Sequence, residues 1–168
     1  MQKIPYYPLD RINAVYGDAF TTAFSSVLQS GWFIRGKENL AFEQNFASFC
    51  GAKHCVGVGN GLEALSLILK AYIALGVLKK NDKVIVPATT FVATWLAVHA
   101  AGLEPLPAEV SESDSLLTRE GVLSVWNSEV KAVIAVHLYG KLAPMESLEQ
   151  LAKEKGFLLI EDAAQAHG

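Results

Sequence analysis

The chain has 168 residues, of which 51% are hydrophobic and 18% are charged, and its formal net charge is −3 at pH 7. This length allows one sizeable core, and the composition excludes a disordered chain. The acidic balance leaves no basic surplus for nucleic acid or an anionic membrane, so we expect neither as a partner. No apolar run is long enough to span a bilayer, and the N-terminus lacks an apolar signal core, so we expect a cytoplasmic protein.

An N-terminal arm is predicted over residues 1–30, and its main element is a helix over 13–29 with apolar residues at helical intervals. A turn is predicted over 30–36 and a second helix over 37–50. This second helix places four apolar residues largely on one side: Leu40, Phe42, Phe46 and Phe49.

Cysteine and histidine residues lie close together at the end of this second helix. Cys50, His54 and Cys55 could suggest a metal site, but the sequence has no second ligand cluster to complete it. We therefore predict no metal site.

From residue 55 onward, short apolar runs alternate with segments of helical pattern. Pro105 and Pro107 suit an edge position for the strand that contains them. The alternation predicts an α/β fold with three layers, α/β/α, and a mainly parallel sheet covered on both faces. The predicted strands are 55–58, 83–86, 104–108, 130–137 and 157–160, and the predicted helices are 61–74, 91–101 and one that begins near Pro144.

Ligands in such folds bind beyond the carboxyl ends of the strands. The glycine-rich turn at 59–65 lies at one such end, where glycines and a helix N-terminus suit a phosphate, although a purely structural turn is the simpler interpretation. A dinucleotide fold is disfavoured, because Leu62 stands where its fingerprint requires glycine. Val86 and Pro87 stand where that fingerprint requires an acid.

Two other strand ends carry residues of interest. Phe91 begins a predicted helix, where its ring could stack on a planar cofactor or belong to the core. Asp162 follows the last strand, where a carboxylate needs a cationic partner unless it caps a helix. A phosphate turn, a stacking ring and a carboxylate at three strand ends are what pyridoxal phosphate requires.

Five segments of the chain resemble the DegT-type sugar aminotransferases. The resemblance covers nearly the whole chain in order, and its last segment, Glu-Asp-Ala-Ala-Gln-Ala-His-Gly, is highly specific. It implies the aspartate-aminotransferase fold, with residues 31–168 as the incomplete large domain of a fold-type I enzyme. It also implies pyridoxal 5'-phosphate as cofactor, with a keto-sugar nucleotide and glutamate as substrates. The segments are 30–33, 59–65, 86–94, 136–140 and 161–168.

The resemblance implies a role at the cofactor for five residues. Asp162 pairs with the protonated pyridine nitrogen, which keeps the ring an electron sink, and Gln165 hydrogen-bonds the phenolic oxygen. Phe91 stacks on the ring, and the backbone at Gly61 and Leu62 holds the phosphate. Many members carry threonine where this chain has Leu62, so we expect backbone donors alone to bind the phosphate here.

The resemblance further implies that Trp32, Phe33 and His167 contact the substrate and that two subunits form a homodimer. The Asn-Gly-Leu-Glu-Ala-Leu turn at 60–65 is similar to the branch that aminates carbon 3 of dTDP-3-keto-6-deoxyhexoses. We therefore expect a sugar nucleotide of that class as the substrate.

The resembling family forms a Schiff base between the cofactor and a lysine downstream of its last segment, and we expect this chain to be a fragment that stops before it. Lys141 is the lysine nearest to a strand end, and a solvated loop lysine is its simpler interpretation. Two alternatives to an aminotransferase remain open. One is a catalytically inert binding or assembly module, and the other, less favoured, is a nicotinamide-dinucleotide-binding fragment.

Overall fold

The computed structural model describes residues 4–167, which fall into two compact units that divide between Gly57 and Val58. Within the described range, no helix combines the length and the apolar character needed to cross a membrane. The domain limits predicted above, 1–30 and 31–168, remain predictions, and residues 1–3 and 168 lie outside the described part of the chain.

The first unit contains two helices, α1 (Leu9–Ser30) and α2 (Lys37–Phe49). Helix α1 ends at Gly31, whose φ of 65° lies in the left-handed region and whose N–H bonds to the carbonyl of Leu28. The one-sided aromatic pattern of α2 is confirmed. The ring of Phe46 stacks against Phe42 at a centroid distance of 5.6 Å and lies 6.3 Å from Phe49.

The strand predicted over 55–58 is wrong. These residues form no strand, and the Val56 side chain is 76% exposed. The amide of Gly57 donates instead to the Glu43 carboxylate at 2.7 Å. A short apolar run becomes a strand only beside another strand that satisfies its backbone groups, and no described strand pairs with this segment.

The second unit alternates strands and helices. The sheet order is β2-β1-β3-β4, and every pairing is parallel, so the predicted fold class is confirmed and β2 occupies the predicted edge. A 3₁₀ helix over Leu138–Gly140 follows β3. The strands are β1 (Lys83–Pro87), β2 (Glu104–Ala108), β3 (Val130–Val136) and β4 (Leu158–Asp162), and the helices are α3 (Gly61–Ala74), α4 (Val92–Ala100), α5 (Arg119–Val125) and α6 (Met145–Lys155).

The sheet of the second unit is buried on both faces. Alternate residues of a strand point to opposite faces, and in β1 Val84 and Val86 join one hydrophobic cluster while Ile85 joins another. Helices α3 and α4 contribute to the first cluster, for example through Leu69, and α5 and α6 contribute to the second, for example through Leu148. The unit is therefore an α/β/α sandwich with its two cores on either side of the sheet.

Helix α5 was not predicted. It has only seven residues, begins with a Thr118 side chain that accepts from the Gly121 amide, and contains a glycine. A segment this short shows little periodicity, and its helical form depends on packing Val122, which is fully buried, against the second cluster.

Candidate functional site

A cavity of about 690 Å³ lies in the second unit, at the carboxyl ends of β1, β3 and β4. The residues that line it come from four segments within 60–65, 89–93, 136–139 and 162–165. Parallel strands direct their carboxyl ends to one edge, so these sequence-distant segments converge there. The cavity brings together all five predicted cofactor residues: Gly61, Leu62, Phe91, Asp162 and Gln165.

The first wall of the cavity is the N-terminus of α3. The side chain of Asn60 caps the helix by accepting the Glu63 amide at 2.9 Å, and Glu63 in turn accepts the Gly59 amide at 3.0 Å. The amides of Gly61 and Leu62 have no acceptor among the described residues. These two donors, with the positive end of the helix dipole, suit an anion.

The close approach of Glu63 depends on a glycine at position 59. A Cβ atom there would lie 2.6 Å from Glu63 Oε2. Gly59 therefore gives the Glu63 carboxylate room to reach the backbone beside the cavity wall.

The aromatic ring of Phe91 also lines the cavity and is 74% exposed. Phe91 precedes α4 with an extended backbone, and the helix begins one residue later than predicted. Just before α4, the hydroxyl of Thr90 lies 3.0 Å from that of the buried Thr94 in the first turn, and the two share a hydrogen bond. An exposed ring on a fixed helix start is available for stacking.

The last residue of β4, Asp162, supplies the one carboxylate among the described residues that line the cavity. Its Oδ1 accepts the Ala164 amide at 3.1 Å, and its backbone carbonyl accepts the His137 amide at 3.0 Å. Asp162 therefore caps a turn, and no helix follows it in the described chain. Its position next to the cavity leaves the carboxylate able to meet a cation there.

The side-chain amide of Gln165 is oriented by a backbone donor. Its Oε1 accepts the Tyr139 amide at 2.7 Å. Tyr139 adopts a left-handed conformation with φ of 57°, which turns its N–H toward Gln165. With the oxygen engaged, the NH2 group of Gln165 is the part left to act as donor.

His137, for which the sequence predicted no role, lines the cavity. This residue is 2% exposed; its Nδ1 accepts the Ala143 amide at 3.1 Å, and its Nε2 lies 3.0 Å from Glu161 Oε2. A ring that accepts at Nδ1 carries its proton on Nε2, so His137 is the neutral Nε2–H tautomer and donates to Glu161. The adjacent carboxylates of Glu161 and Asp162, on alternating faces of β4, thus serve different partners.

The remaining predicted site residues do not line this cavity. Trp32 and Phe33 line a separate cavity of about 470 Å³ in the first unit, where the Trp32 indole donates to the carbonyl of Ile34 at 2.7 Å. His167 is exposed and does not line the larger cavity. Lys141 does not line it either. Its Nζ pairs with Asp114 at 3.0 Å, and this hydrogen bond holds the pKa of the Asp114 carboxyl below its usual value.

The sequence profile of the DegT/DnrJ/EryC1/StrS aminotransferase family matches residues 16–168. The chain belongs to this family. The resemblance identified from its motifs is thereby confirmed.

Individual relatives of this family agree along the whole chain. The chain is 44% identical over 166 residues to a dTDP-3-amino-3,6-dideoxy-alpha-D-galactopyranose transaminase of Aneurinibacillus thermoaerophilus, an alignment that covers 98% of the chain and 44% of that protein. The crystal structure of DesV from S. venezuelae, in complex with a ketimine intermediate, matches with a TM-score of 0.92 at 38% identity. That match covers 100% of this chain and 44% of DesV.

A third relative holds a cofactor. NtdA from Bacillus subtilis, with bound cofactor PMP, matches with a TM-score of 0.87 at 29% identity, over 99% of this chain and 38% of its own. The chain thus spans less than half the length of these relatives. The family depends on pyridoxal phosphate, and the chain has the fold of part of a fold-type I enzyme.

The cavity of this DegT-family chain fits that cofactor on its own chemistry. Two unpaired amides at Gly61 and Leu62 suit a phosphate, an exposed ring at Phe91 suits an aromatic face, and Asp162 suits a protonated ring nitrogen. None of the described residues that line the cavity is a lysine.

Proposed function

We propose that this chain forms the cofactor-binding part of an aminotransferase that uses pyridoxal phosphate to move an amino group from glutamate to a keto-sugar nucleotide. The observation that carries the proposal is the single cavity that gathers two unpaired helix amides, an exposed ring, a carboxylate and an oriented side-chain amide. When bound, the cofactor supplies an electron sink that the protein side chains lack.

The phosphate end of the cofactor would lie at the N-terminus of α3. The amides of Gly61 and Leu62 would donate to it, since the Glu63 amide is already bonded to the Asn60 side chain. Since Leu62 carries no hydroxyl, the backbone supplies the hydrogen bonds from this position. We expect phosphate affinity at this wall to depend on the helix start and not on the side chain of residue 62.

The ring end would lie between Phe91 and the end of β4. Asp162 would hold a proton on the pyridine nitrogen, because a carboxylate stabilises a nearby cationic N–H. The NH2 group of Gln165 would donate to the phenolic oxygen, in agreement with the engagement of its Oε1 by Tyr139. Phe91 would cover one face of the ring and exclude water from it.

The substrate class is proposed from the relatives and the segment at 60–65. The A. thermoaerophilus relative is a dTDP-3-amino-3,6-dideoxy-alpha-D-galactopyranose transaminase, so we propose a dTDP-3-keto-6-deoxyhexose as amino acceptor. Trp32, Phe33 and His167 are proposed to contact it in the assembled enzyme. Trp32 and Phe33 both have large exposed apolar surfaces, as expected for residues that meet a ligand or a partner.

A homodimer is proposed as the assembly. Helix α1 has 22 residues, none of them buried, and its exposed apolar residues include Tyr16, Phe20 and Phe24. A helix face of this kind is unstable in water unless another surface covers it, and we propose a second copy as that surface.

The absence of lysine from the described cavity lining favours one alternative, a module that binds the cofactor without forming a covalent bond to it. Borohydride reduction after incubation with pyridoxal phosphate, followed by peptide mass spectrometry, tests whether this chain itself forms the covalent bond. A single stoichiometric pyridoxyl-lysine would contradict the non-covalent module, whereas scattered substoichiometric labels agree both with that module and with an aminotransferase whose Schiff-base lysine is not in this chain.

The proposed function is tested by titration of the chain with pyridoxal phosphate, followed by absorbance and tryptophan fluorescence. We expect saturable binding that Phe91→Leu weakens by about fivefold, because stacking contributes about 1 kcal/mol beyond buried area. Phe49→Leu is the matched control, since Phe49 is also exposed but does not line the cavity. Equal weakening by both variants, or no saturable binding, would contradict the proposal.

A further inference from the structure

We propose that His137 is a positioning residue whose neutral Nε2–H form holds the turn over 138–142 in place and thereby orients the side-chain amide of Gln165. The inference rests on the proposed function, because the contact of Gln165 with the cofactor gives this orientation its purpose. His137 itself is not proposed to touch the cofactor.

The imidazole of His137 joins three pieces of chain at the end of the sheet. Its Nδ1 accepts from Ala143, which follows the turn, and its Nε2 donates to Glu161 in β4. The backbone amide of His137 donates to the carbonyl of Asp162 at 3.0 Å. Because the ring is 2% exposed, water does not replace these partners easily.

The turn that His137 closes has a backbone that needs support. Tyr139 and Gly140 have φ angles of 57° and 80°, and tyrosine rarely adopts this region because its Cβ crowds the carbonyl oxygen. The turn itself supplies two hydrogen bonds, from Gly140 to the carbonyl of His137 at 3.2 Å and from Lys141 to that of Leu138 at 3.2 Å. The bond from Ala143 to the imidazole fixes the point where the chain leaves the turn.

The turn meets Gln165 at two points. The Tyr139 amide donates to Gln165 Oε1 at 2.7 Å, and a Cβ atom at Gly140 would lie 3.1 Å from the Gln165 backbone carbonyl. The left-handed glycine therefore permits close approach, and the left-handed tyrosine supplies the donor. If the turn relaxes, the Gln165 amide loses the contact that distinguishes its oxygen from its NH2 group.

Two substitutions separate the two sides of the imidazole. His137→Asn keeps an acceptor near the Nδ1 position, whereas His137→Gln keeps a donor near the Nε2 position and loses the acceptor for Ala143. Amide hydrogen exchange is measured on the full chain without cofactor. We expect exchange at Ala143 and Tyr139 to accelerate by about tenfold in His137→Gln and to stay near wild type in His137→Asn.

The amide of Val133, in the centre of β3, serves as the internal reference for folding. Unchanged exchange at Val133 shows that the sheet is intact, so acceleration confined to Ala143 and Tyr139 supports the proposal. Acceleration at Ala143 with Tyr139 unchanged would overturn it, because the imidazole would then have no influence on the donor to Gln165.

The wild-type chain supplies a check that needs no substitution. With 15N-labelled histidine, the His137 ring should carry its proton on Nε2 and have a bare Nδ1, and a proton on Nδ1 would overturn the proposal. Titration with pyridoxal phosphate is a separate measurement. A wild-type chain that fails to bind it contradicts the proposed function, while the exchange experiment still decides the role of His137.

Discussion

Oδ1 of Asp162 accepts the amide hydrogen of Ala164 at 3.1 Å, so a side chain at the cavity also closes the turn after β4. Asp162→Asn keeps an oxygen for this turn and removes the negative charge. We expect its thermal unfolding to match wild type, and its affinity for pyridoxal phosphate to fall by about 10- to 100-fold, because hydrogen bonds to charged groups contribute about 1.5–3 kcal/mol. Calorimetry and an absorbance titration measure the two quantities.

Asp162→Ala is the control for this pair of roles. It removes the turn bond and the charge together, so both stability and affinity should fall. If Asp162→Asn binds the cofactor as tightly as wild type, the carboxylate serves the turn alone.

Two glycines in helices should respond to alanine in opposite directions. At Gly121 in α5, a Cβ atom would collide with the backbone carbonyl oxygen of Glu109, so Gly121→Ala should lower the free energy of unfolding by about 1–3 kcal/mol. At Gly17 in α1, nothing lies within 4 Å of such an atom, so Gly17→Ala should stabilise its helix by about 0.5–1 kcal/mol. Urea denaturation of both variants measures the two changes.

A stabilised Gly121→Ala variant would mean that α5 can move away from Glu109 at no cost. A destabilised Gly17→Ala variant would show that α1 needs flexibility or close approach at that position.

Helix α3 offers a matched pair of leucines. Leu69 is fully buried in the first hydrophobic cluster, whereas Leu67, two residues earlier, is 52% exposed. Leu69→Ala should cost about 2–5 kcal/mol of unfolding free energy, and Leu67→Ala less than about 1 kcal/mol. Denaturant unfolding followed by circular dichroism provides both values. Similar costs at the two positions would contradict the assignment of the buried face of α3.

The hydrogen bond from the Gly57 amide to Glu43 should weaken in acid, as the Glu43 carboxylate is protonated. The Gly57 amide, with help from Asn39, lowers the pKa of the Glu43 carboxyl from its usual 4.5. A carboxyl with a depressed folded-state pKa stabilises the fold above its unfolded pKa, and this contribution disappears as the pH falls through the folded value. We therefore expect the Gly57 amide chemical shift to change with a midpoint below 4.5.

Glu43→Gln is the control, because a glutamine oxygen accepts the same amide hydrogen without titrating. Its Gly57 shift should stay constant over this range. A titration that persists in Glu43→Gln would assign the effect to another carboxyl.

Self-association should depend on the apolar face of α1. Phe20→Glu and Phe24→Glu place charges on this exposed face, whereas Thr21→Glu places one beside it in the same helix. We expect light scattering to show dimers of the wild-type chain and of Thr21→Glu, and largely monomers of the two phenylalanine variants. A monodisperse species near 18.1 kDa at every wild-type concentration would contradict the proposed homodimer.

Most elements of the second unit could be predicted because capping or turn-forming residues mark their ends. Helix α3 follows Asn60 and has the predicted limits, 61–74, while β1 ends at Pro87, one residue beyond its prediction. The segment at 55–58 was wrong for a different reason. Its apolar composition satisfies the local requirement for a strand, but hydrogen-bonding neighbours are a property of the tertiary fold.

The cavity could be anticipated from strand ends, whereas the role of His137 could not. Its partners are Ala143, six residues away, and Glu161, 24 residues away, and neither separation follows a secondary-structure period. The histidine itself was visible in the motif at 136–140. The backbone amide that donates to the ring determines which nitrogen carries no proton, and no residue pattern in the sequence predicts that contact.

The two prolines of β2 have a consequence for how the sheet can grow. The amide of Glu104 points toward the neighbouring strand and donates to the carbonyl of Asp82, the residue before β1. Because successive backbone amides of a strand point to alternate sides, the nitrogens of Pro105 and Pro107 point away from β1. At the free border of β2, the positions that would offer hydrogens to an incoming chain are thus occupied by rings without N–H groups. A foreign strand cannot form a full hydrogen-bond ladder on this edge, so the two prolines protect this side of the sheet against edge-to-edge aggregation.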